Sequence, residues 1–184
     1  EIQFKVSETW MDNFEQASMS GPSDADREIA RRVFAEMKQD RAQGKTLTDR
    51  WSTDVLFPYS MEPDPETQDM NMVLLVNAMC ASMCDIFTAT MKDNNLAKVV
   101  GTQTMGAGGN VVQHFQAPNS HLLINQTESL IVRKDGSYVE NNGVEPDASI
   151  NIAESTDDKF ESFRKKAVAV LLASVGGLGV RDGR

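Results

Sequence analysis

Ser82 stands where the sequence changes from a strand pattern to a helical one. The run Met72–Val76 is short and continuously apolar, which is typical of a strand buried on both faces. The stretch Cys80–Asp93 instead has apolar residues at helical spacing. A serine at the start of a helix lies beside amides that stabilise developing negative charge. These residues therefore offer Ser82 as a nucleophile and the amide of Met83 as a donor to an oxyanion.

A structural interpretation of the same serine stays open. Ser82 and Asp85 match the Ser-x-x-Asp pattern of a capping box, in which the hydroxyl bonds the helix amides and the acid bonds back. On the mechanics of the residues alone, the cap is the commoner outcome. The two interpretations differ in whether the hydroxyl is free.

The other groups with reactive side chains are two histidines and two cysteines. A lone histidine such as His114 or His121 is more often structural or solvated than a general base. Cys80 has no adjacent basic residue to favour its thiolate, and Cys80 and Cys84 do not form the framework of a disulfide-rich secreted domain. With no nearby histidine pair they predict no metal site. The glycines at 106–109 lack the Lys-Ser or Lys-Thr of a phosphate loop, so no cofactor is predicted.

Around Ser82 the sequence resembles the serine peptidase family of the C-terminal processing proteases and the tricorn core. That family has a serine-rich turn, an acid three residues after the nucleophile, a helix and a Gly-x-x-Thr-x-Gly loop. The counterparts here are Ser82, Asp85 and Gly101–Gly106. The branch of the chlamydial protease-like activity factor is the most similar. It shares a Gly-Ala-Gly-Gly ending, here Gly106–Gly109, and a Glu-Asn-x-Gly-Val-Glu-Pro segment, here Glu140–Pro146.

The resemblance covers roughly residues 72–147 and implies both a fold and a reaction. The implied fold is α/β, with a ββα unit like that of Clp protease and crotonase, and the chain would be the C-terminal catalytic half of a larger peptidase. The implied reaction is peptide-bond hydrolysis by a serine endopeptidase, through an acyl-enzyme on Ser82. Glu140 matches the glutamate that orients the catalytic histidine in the tricorn and chlamydial branches, and Glu145 has a weaker claim to that role.

Three departures from the family pattern bear on activity. The processing proteases carry a lysine base in the glycine loop, where this chain has Ala107, so a Ser-Lys dyad is excluded. The other branch takes its histidine from the N-terminal half of the protein, which would precede this chain. The upstream Gly-Gly segment that supplies a second oxyanion amide is also absent. We therefore expect the isolated chain to be inactive and the base to come from the missing half.

Two other functions remain open from the sequence. The first is a non-catalytic relative that binds peptides or partner proteins. The second is a crotonase-like enzyme acting on acyl thioesters, which the serine at the turn and the distal Glu-Asn motif disfavour. An upstream histidine and a Gly-Gly segment in the parent protein would favour the protease.

Residues 1–70 are predicted to form one helix with covering loops. No periodic pattern extends over residues 1–22, but Ser23 and Asp26 form a capping box for a helix that Gly44 ends. The polar stretch that follows predicts a long loop. Four apolar side chains are expected to pin this loop to the core: Trp51, Leu56, Phe57 and Tyr59.

Residues 71–150 are predicted to form the catalytic core of the same domain. Met72–Val76 and Ala97–Gly101 should be neighbouring parallel strands joined by the helix after Ser82. A hairpin turn at Lys134–Ser137 should place Tyr138–Glu140 on a returning strand, followed by an exit loop to residue 147. Three further strands are expected: Val111–Gln116, Leu122–Asn125 and Ser129–Arg133.

The remainder is predicted as a C-terminal helix over residues 151–175 and a flexible tail over 176–184. A second capping box, Ser155 with Asp158, starts the helix, and Gly176 ends it.

Composition limits the partners. The net charge of −9 over 184 residues argues against nucleic acid. No apolar run approaches the roughly 20 residues of a membrane span. The chain begins Glu-Ile-Gln-Phe-Lys, without a starting methionine or a signal peptide, which favours a fragment or a processed chain. The expected partners are a polypeptide substrate and the N-terminal half, with a homodimer as a further possibility, and the resemblance favours a secreted or extracytoplasmic location.

Overall fold

The computed structural model describes residues 1–56, 70–150 and 159–176. The chain divides into two compact units. The first unit comprises residues 1–60 and 109–137, and the second comprises 61–108 and 138–184. Residues 109–137, which we predicted within the core at 71–150, therefore group with the N-terminal segment.

The first unit is built on a short antiparallel pair of strands. Strand β1 (Ile2–Phe4) pairs with β6 (Ser129–Ile131). Helices α1 (Glu8–Ser20) and α2 (Asp24–Ala42) contact each other beside it. The buried members of this core are four apolar side chains: Ile2, Phe4, Val33 and Met37.

Helix α2 begins as the sequence predicts. The Ser23 hydroxyl accepts the Asp26 amide, and the Asp26 carboxylate accepts the Ser23 amide. Helix α1 was not predicted, because none of its residues is fully buried and its apolar stripe is narrow. Trp10 and Phe14 on that stripe pack against Phe4, with ring centroids 5.0 Å from the Phe4 ring in both cases.

Three shorter elements complete the first unit. Helix α3 spans Thr53–Leu56, and strands β4 (Val111–Gln116) and β5 (Leu123–Thr127) form an antiparallel hairpin. Trp51 and Leu56 pack against the core as predicted. Phe57 and Tyr59 lie outside the described residues.

The second unit contains a parallel sheet of three strands. Their order is β2 (Val73–Val76), β3 (Lys98–Gly101) and β7 (Ala148–Ser149). The predicted parallel pairing of the first two is therefore observed, and helix α4 (Met83–Asp93) connects them. Strand β7, within residues predicted near the exit loop, was missed because two residues carry no periodic pattern.

Alternate residues of β3 face opposite sides of this sheet. Val99 packs with Val76 and Cys80, whereas Val100 packs with Ala167 of helix α5 (Lys159–Gly176). Both valines are fully buried. Strand β3 is thus covered on both faces. The prediction that Met72–Val76 is buried on both faces is wrong, because Met72 is 38% and Leu75 46% exposed. The α5 capping box, Ser155 and Asp158, lies outside the described residues.

The segment after the predicted hairpin turn is not a strand. The turn itself is present, with Gly136 donating its amide to the carbonyl of Arg133 at 2.9 Å. Tyr138–Glu140 then leads directly into a second turn, in which the amides of Asn142 and Gly143 both donate to the Val139 carbonyl. The prediction that Glu140 ends a returning strand is therefore wrong, because the chain reverses again at Val139.

Two negative observations apply to the described residues. No helix among them combines the length and apolarity that a membrane crossing requires. Nor do histidine, cysteine, aspartate and glutamate side chains in these ranges gather into a group of three that could hold a metal ion.

Candidate active site

Ser82 occupies the turn between β2 and α4 in a strained backbone conformation. Its φ is 57° and its ψ is −120°, a region that non-glycine residues rarely adopt. The residue is exposed, and its side chain makes no capping hydrogen bond. The capping-box interpretation is therefore wrong, and the hydroxyl is presented to solvent at the start of a helix.

Asp85, the acid of the predicted capping box, does not cap its helix. Asp85 is fully buried, and its carboxylate accepts hydrogen bonds from the Thr104 hydroxyl, the Gly106 amide at 3.0 Å and the Ala107 amide at 2.9 Å. Three donors to one carboxylate satisfy a charge that would otherwise be costly to bury. Asp85 thus fixes the glycine loop, residues 101–108, to the first turn of α4.

Backbone hydrogen bonds join the same loop to the serine turn. The Ser82 amide donates to the Ala107 carbonyl at 3.0 Å, and the Met105 amide donates to the Cys80 carbonyl at 2.9 Å. Within the residues that the structure describes, the Met83 amide has no acceptor. The amide next to the exposed serine is therefore unbonded within these ranges, and its use as an oxyanion donor stays a prediction.

A disulfide brackets the turn. Cys80 and Cys84 are bonded, with their Cα atoms 5.2 Å apart. The sequence predicted no disulfide framework, so this bridge within one turn was missed. The spacing of four residues was the available signal, since residues i and i+4 lie close together wherever the chain turns into a helix.

Glu140 lies in a loop that hydrogen bonds attach to the glycine loop. Its neighbour Asn141 donates its amide to the Gly106 carbonyl at 2.8 Å, and the Val144 amide donates to the Thr104 hydroxyl oxygen at 2.8 Å. Glu140 itself is half-buried. We call residues 139–144 the acid loop.

The two loops approach so closely that side chains are excluded at the contact. Gly106 has φ 74° and Gly143 has φ 62°. A Cβ on Gly106 would lie 2.6 Å from the Gly143 amide nitrogen, and a Cβ on Gly143 would lie 2.4 Å from the Thr104 carbonyl oxygen. Both positions require glycine for conformation and for space. Adjacent residues of the glycine loop thus bond different partners: Ala107 bonds Ser82, and Gly106 bonds Asn141 of the acid loop.

The histidines belong to the first unit. The His114 Nε2 lies 2.8 Å from the Oε1 of Glu128, whose side chain is fully buried. The Lys5 ammonium lies 3.0 Å from the same oxygen. Burial raises the pKa of Glu128, but the nearby Ser7 hydroxyl, the bonds from Lys5 and His114 and the Lys5 charge outweigh it, so its pKa is lowered.

His114 is therefore part of a buried-charge cluster. His121 is exposed in a turn with φ 56°. Because these are the only two histidines of the chain, the second unit has none of its own.

Comparisons with known proteins agree with this arrangement of elements. A family model described as peptidase family S41 matches residues 13–150. A probable CtpA-like serine protease of Staphylococcus epidermidis is 38% identical over 86 residues, which cover 47% of this chain and 17% of that protein. The same name, identity and coverage apply to a relative from Staphylococcus aureus strain COL.

Solved structures match over more of the chain. Mature CPAF has a TM-score of 0.64 with 21% identity, covering 93% of this chain and 36% of that chain. Mature CPAF complexed with lactacystin has a TM-score of 0.63 with 22% identity and covers 93% of this chain and 37% of that chain. At 21–22% identity, these matches show a similar fold only. The chain thus spans well under two thirds of the length of these proteins.

Proposed function

The chain belongs to peptidase family S41, as the motifs around Ser82 predicted, and we propose that it carries the nucleophile of a serine endopeptidase. The proposal rests on the conformation and exposure of Ser82. It is exposed, it is held at a left-handed φ at the start of α4, and its hydroxyl caps nothing. Strain of this kind costs on the order of 1–3 kcal/mol and concentrates at functional sites.

The proposed reaction is the hydrolysis of a peptide bond in two steps. The Ser82 oxygen attacks the carbonyl carbon while its proton passes to a histidine, and the Met83 amide stabilises the oxyanion. The amine then leaves with that proton. Water, deprotonated by the same histidine, attacks the acyl-enzyme and releases the acid, returning the proton to Ser82.

The histidine is proposed to come from the N-terminal half of the longer protein. Two observations support a source outside the second unit: both histidines of this chain belong to the first unit, and the position of the processing-protease lysine is Ala107. Glu140 would then orient the imidazole. Its attachment to the glycine loop, beside the bond that holds Ser82, supports this role.

The direct test is hydrolysis and labelling in the full-length protein. We expect the protein to cleave fluorogenic peptides and to react with a fluorophosphonate probe, which phosphonylates activated serines. Ser82→Ala should lower kcat by about 10⁴-fold or more and abolish labelling. Ser120→Ala, at an exposed turn serine, is the control and should leave both unchanged.

A non-catalytic peptide-binding relative is the second candidate, because the second unit has no histidine of its own. It predicts that the full-length protein binds peptides without cleaving them and that Ser82→Ala leaves binding intact. The isolated chain is expected to be inert in either case, so only adding the N-terminal half separates the two: restored turnover supports the peptidase.

Two further expectations accompany the proposal. The Cys80–Cys84 disulfide supports a secreted or extracytoplasmic location, since such bonds persist in oxidising compartments. A homodimer is testable by sedimentation of the full-length protein at several concentrations.

A further inference from the structure

The disulfide at the serine turn has no role in the reaction proposed above. It joins Cys80, which precedes the turn, to Cys84 in the first turn of α4, and Ser82 is the central residue between them. These are the only two cysteines of the chain. A bridge in this place bears directly on the geometry of the nucleophile.

One end of the bridge is firmly fixed. Cys80 donates its amide to the Asn77 carbonyl at 2.9 Å and accepts the Met105 amide at 2.9 Å. Its side chain packs with Val76 and Val99 and is 6% exposed. The Cys80 side chain is therefore anchored against the sheet.

The other end belongs to the helix. Cys84 is the second residue of α4, and its amide donates to the Ala81 carbonyl at 3.1 Å. The disulfide thus connects the sheet to the helix across the residue with φ 57°. A strained conformation persists only where the surroundings over-determine it, and a covalent bond across the turn supplies such a constraint.

We propose that the Cys80–Cys84 disulfide positions Ser82 for attack, and that a dithiol which reduces it lowers the activity of the peptidase reversibly. This inference rests on the proposed function. Both cysteines are positioning residues that act through Ser82. A nucleophile displaced by about 1 Å can lose roughly 100-fold in rate, so even a partial relaxation of the turn would be measurable.

The exposure of the two cysteines sets the direction of the exchange. Cys84 is exposed and Cys80 is buried, so an incoming thiolate attacks the Cys84 sulfur and Cys80 leaves as a thiolate that takes up a proton. The second thiol of the reductant, as a thiolate, then attacks the reductant sulfur that is bonded to Cys84. The Cys84 sulfur leaves as a thiolate and takes up a proton. Two electrons and two protons pass to the cysteine pair, and the dithiol becomes a cyclic disulfide.

The experiment compares the oxidised, dithiothreitol-reduced and re-oxidised full-length protein. We expect reduction to lower kcat and the rate of fluorophosphonate labelling together, by roughly 10- to 100-fold, with KM within about twofold. Re-oxidation should restore both. The double variant Cys80→Ser, Cys84→Ser should show the low rates and no response to dithiothreitol.

A purely structural role predicts a different pattern. In that case reduction lowers the melting temperature but leaves kcat and labelling unchanged well below it, which overturns the inference. Free thiols in the unreduced protein, detected by alkylation and mass spectrometry, overturn it as well. If the double variant does not fold, reduced wild-type protein carries the test.

The two proposals fail differently. Oxidised wild-type protein that neither cleaves peptides nor labels at Ser82 refutes the peptidase. Oxidised and reduced proteins that label at the same rate refute the positioning role alone.

Discussion

The amide nitrogen of Ser82 lies 3.0 Å from the carbonyl oxygen of Ala107, and this bond sets the serine turn against the glycine loop. Ala107 also donates its own amide to Asp85 in the first turn of α4. Its carbonyl therefore bonds the serine turn, and its amide bonds the helix that follows. The processing proteases place a lysine side chain at this position. Here the position acts through its backbone.

Asp85→Asn should destabilise the protein by about 2–4 kcal/mol, because an amide cannot accept all three hydrogen bonds and would point a donor at other donors. Urea unfolding of this chain measures the change. Asp12→Asn is the matched control, since Asp12 is exposed on α1, and it should stay within about 0.5 kcal/mol of wild type. Equal stability of the two variants would contradict the anchoring role of Asp85.

Gly143→Ala should cost more stability than Gly44→Ala. Both glycines have positive φ, so both variants carry a similar backbone penalty of about 1–2 kcal/mol. A Cβ at Gly44 has nothing within 4 Å, whereas one at Gly143 meets the Thr104 carbonyl. The difference between the two free energies of unfolding, about 1–3 kcal/mol, isolates the contact between the glycine loop and the acid loop. A difference near zero would show that the loops can separate without loss.

Glu140→Gln should lower kcat of the full-length protein by roughly 10²- to 10⁴-fold with little change in melting temperature, because a neutral side chain stabilises the imidazolium poorly. Glu145→Gln is the control at the second glutamate of the same segment, and its activity should stay near wild type. If the two variants lose activity equally, or if only Glu145→Gln is impaired, the assignment of Glu140 is wrong.

Glu128→Gln should weaken the first unit in a pH-dependent way. The folded pKa of Glu128 is lowered below that of the unfolded chain, so its contribution exists above the unfolded pKa and is lost as the pH falls through the folded pKa. We expect a loss of about 1.5–3 kcal/mol near neutral pH that shrinks in acid, measured by denaturant unfolding across that range. Glu15→Gln, exposed on α1, should show neither effect.

His114→Ala should leave the rate of Ser82 labelling in the full-length protein unchanged and reduce stability, since its imidazole bonds Glu128. Robust turnover by the isolated chain that disappears in this variant would instead identify His114 as the base. The fluorophosphonate rate and the melting temperature together separate these outcomes.

The sequence predicted the elements whose signal is local and strong. The strand before Ser82 is a continuous apolar run, and the cap at Ser23 is a pattern of four residues. The sequence did not reveal that Asp85 accepts hydrogen bonds from a loop about twenty residues later instead of capping its own helix. A serine followed three residues later by an aspartate looks the same in both cases. Likewise, the chain around Glu140 is positioned by the hydrogen bond from Asn141 to Gly106. Such a contact between distant residues leaves no periodic pattern in the sequence.

The glycine loop also limits how this region can vary. Three of its residues accept hydrogen bonds from different backbone amides. Thr104 accepts from Val144, Gly106 from Asn141 and Ala107 from Ser82. Met105, between the first two, is 47% exposed and its side chain is free to change. Inserting or deleting one residue between Thr104 and Ala107 would move Ser82 out of register with the acid loop. Natural variation here should therefore change side chains and preserve length.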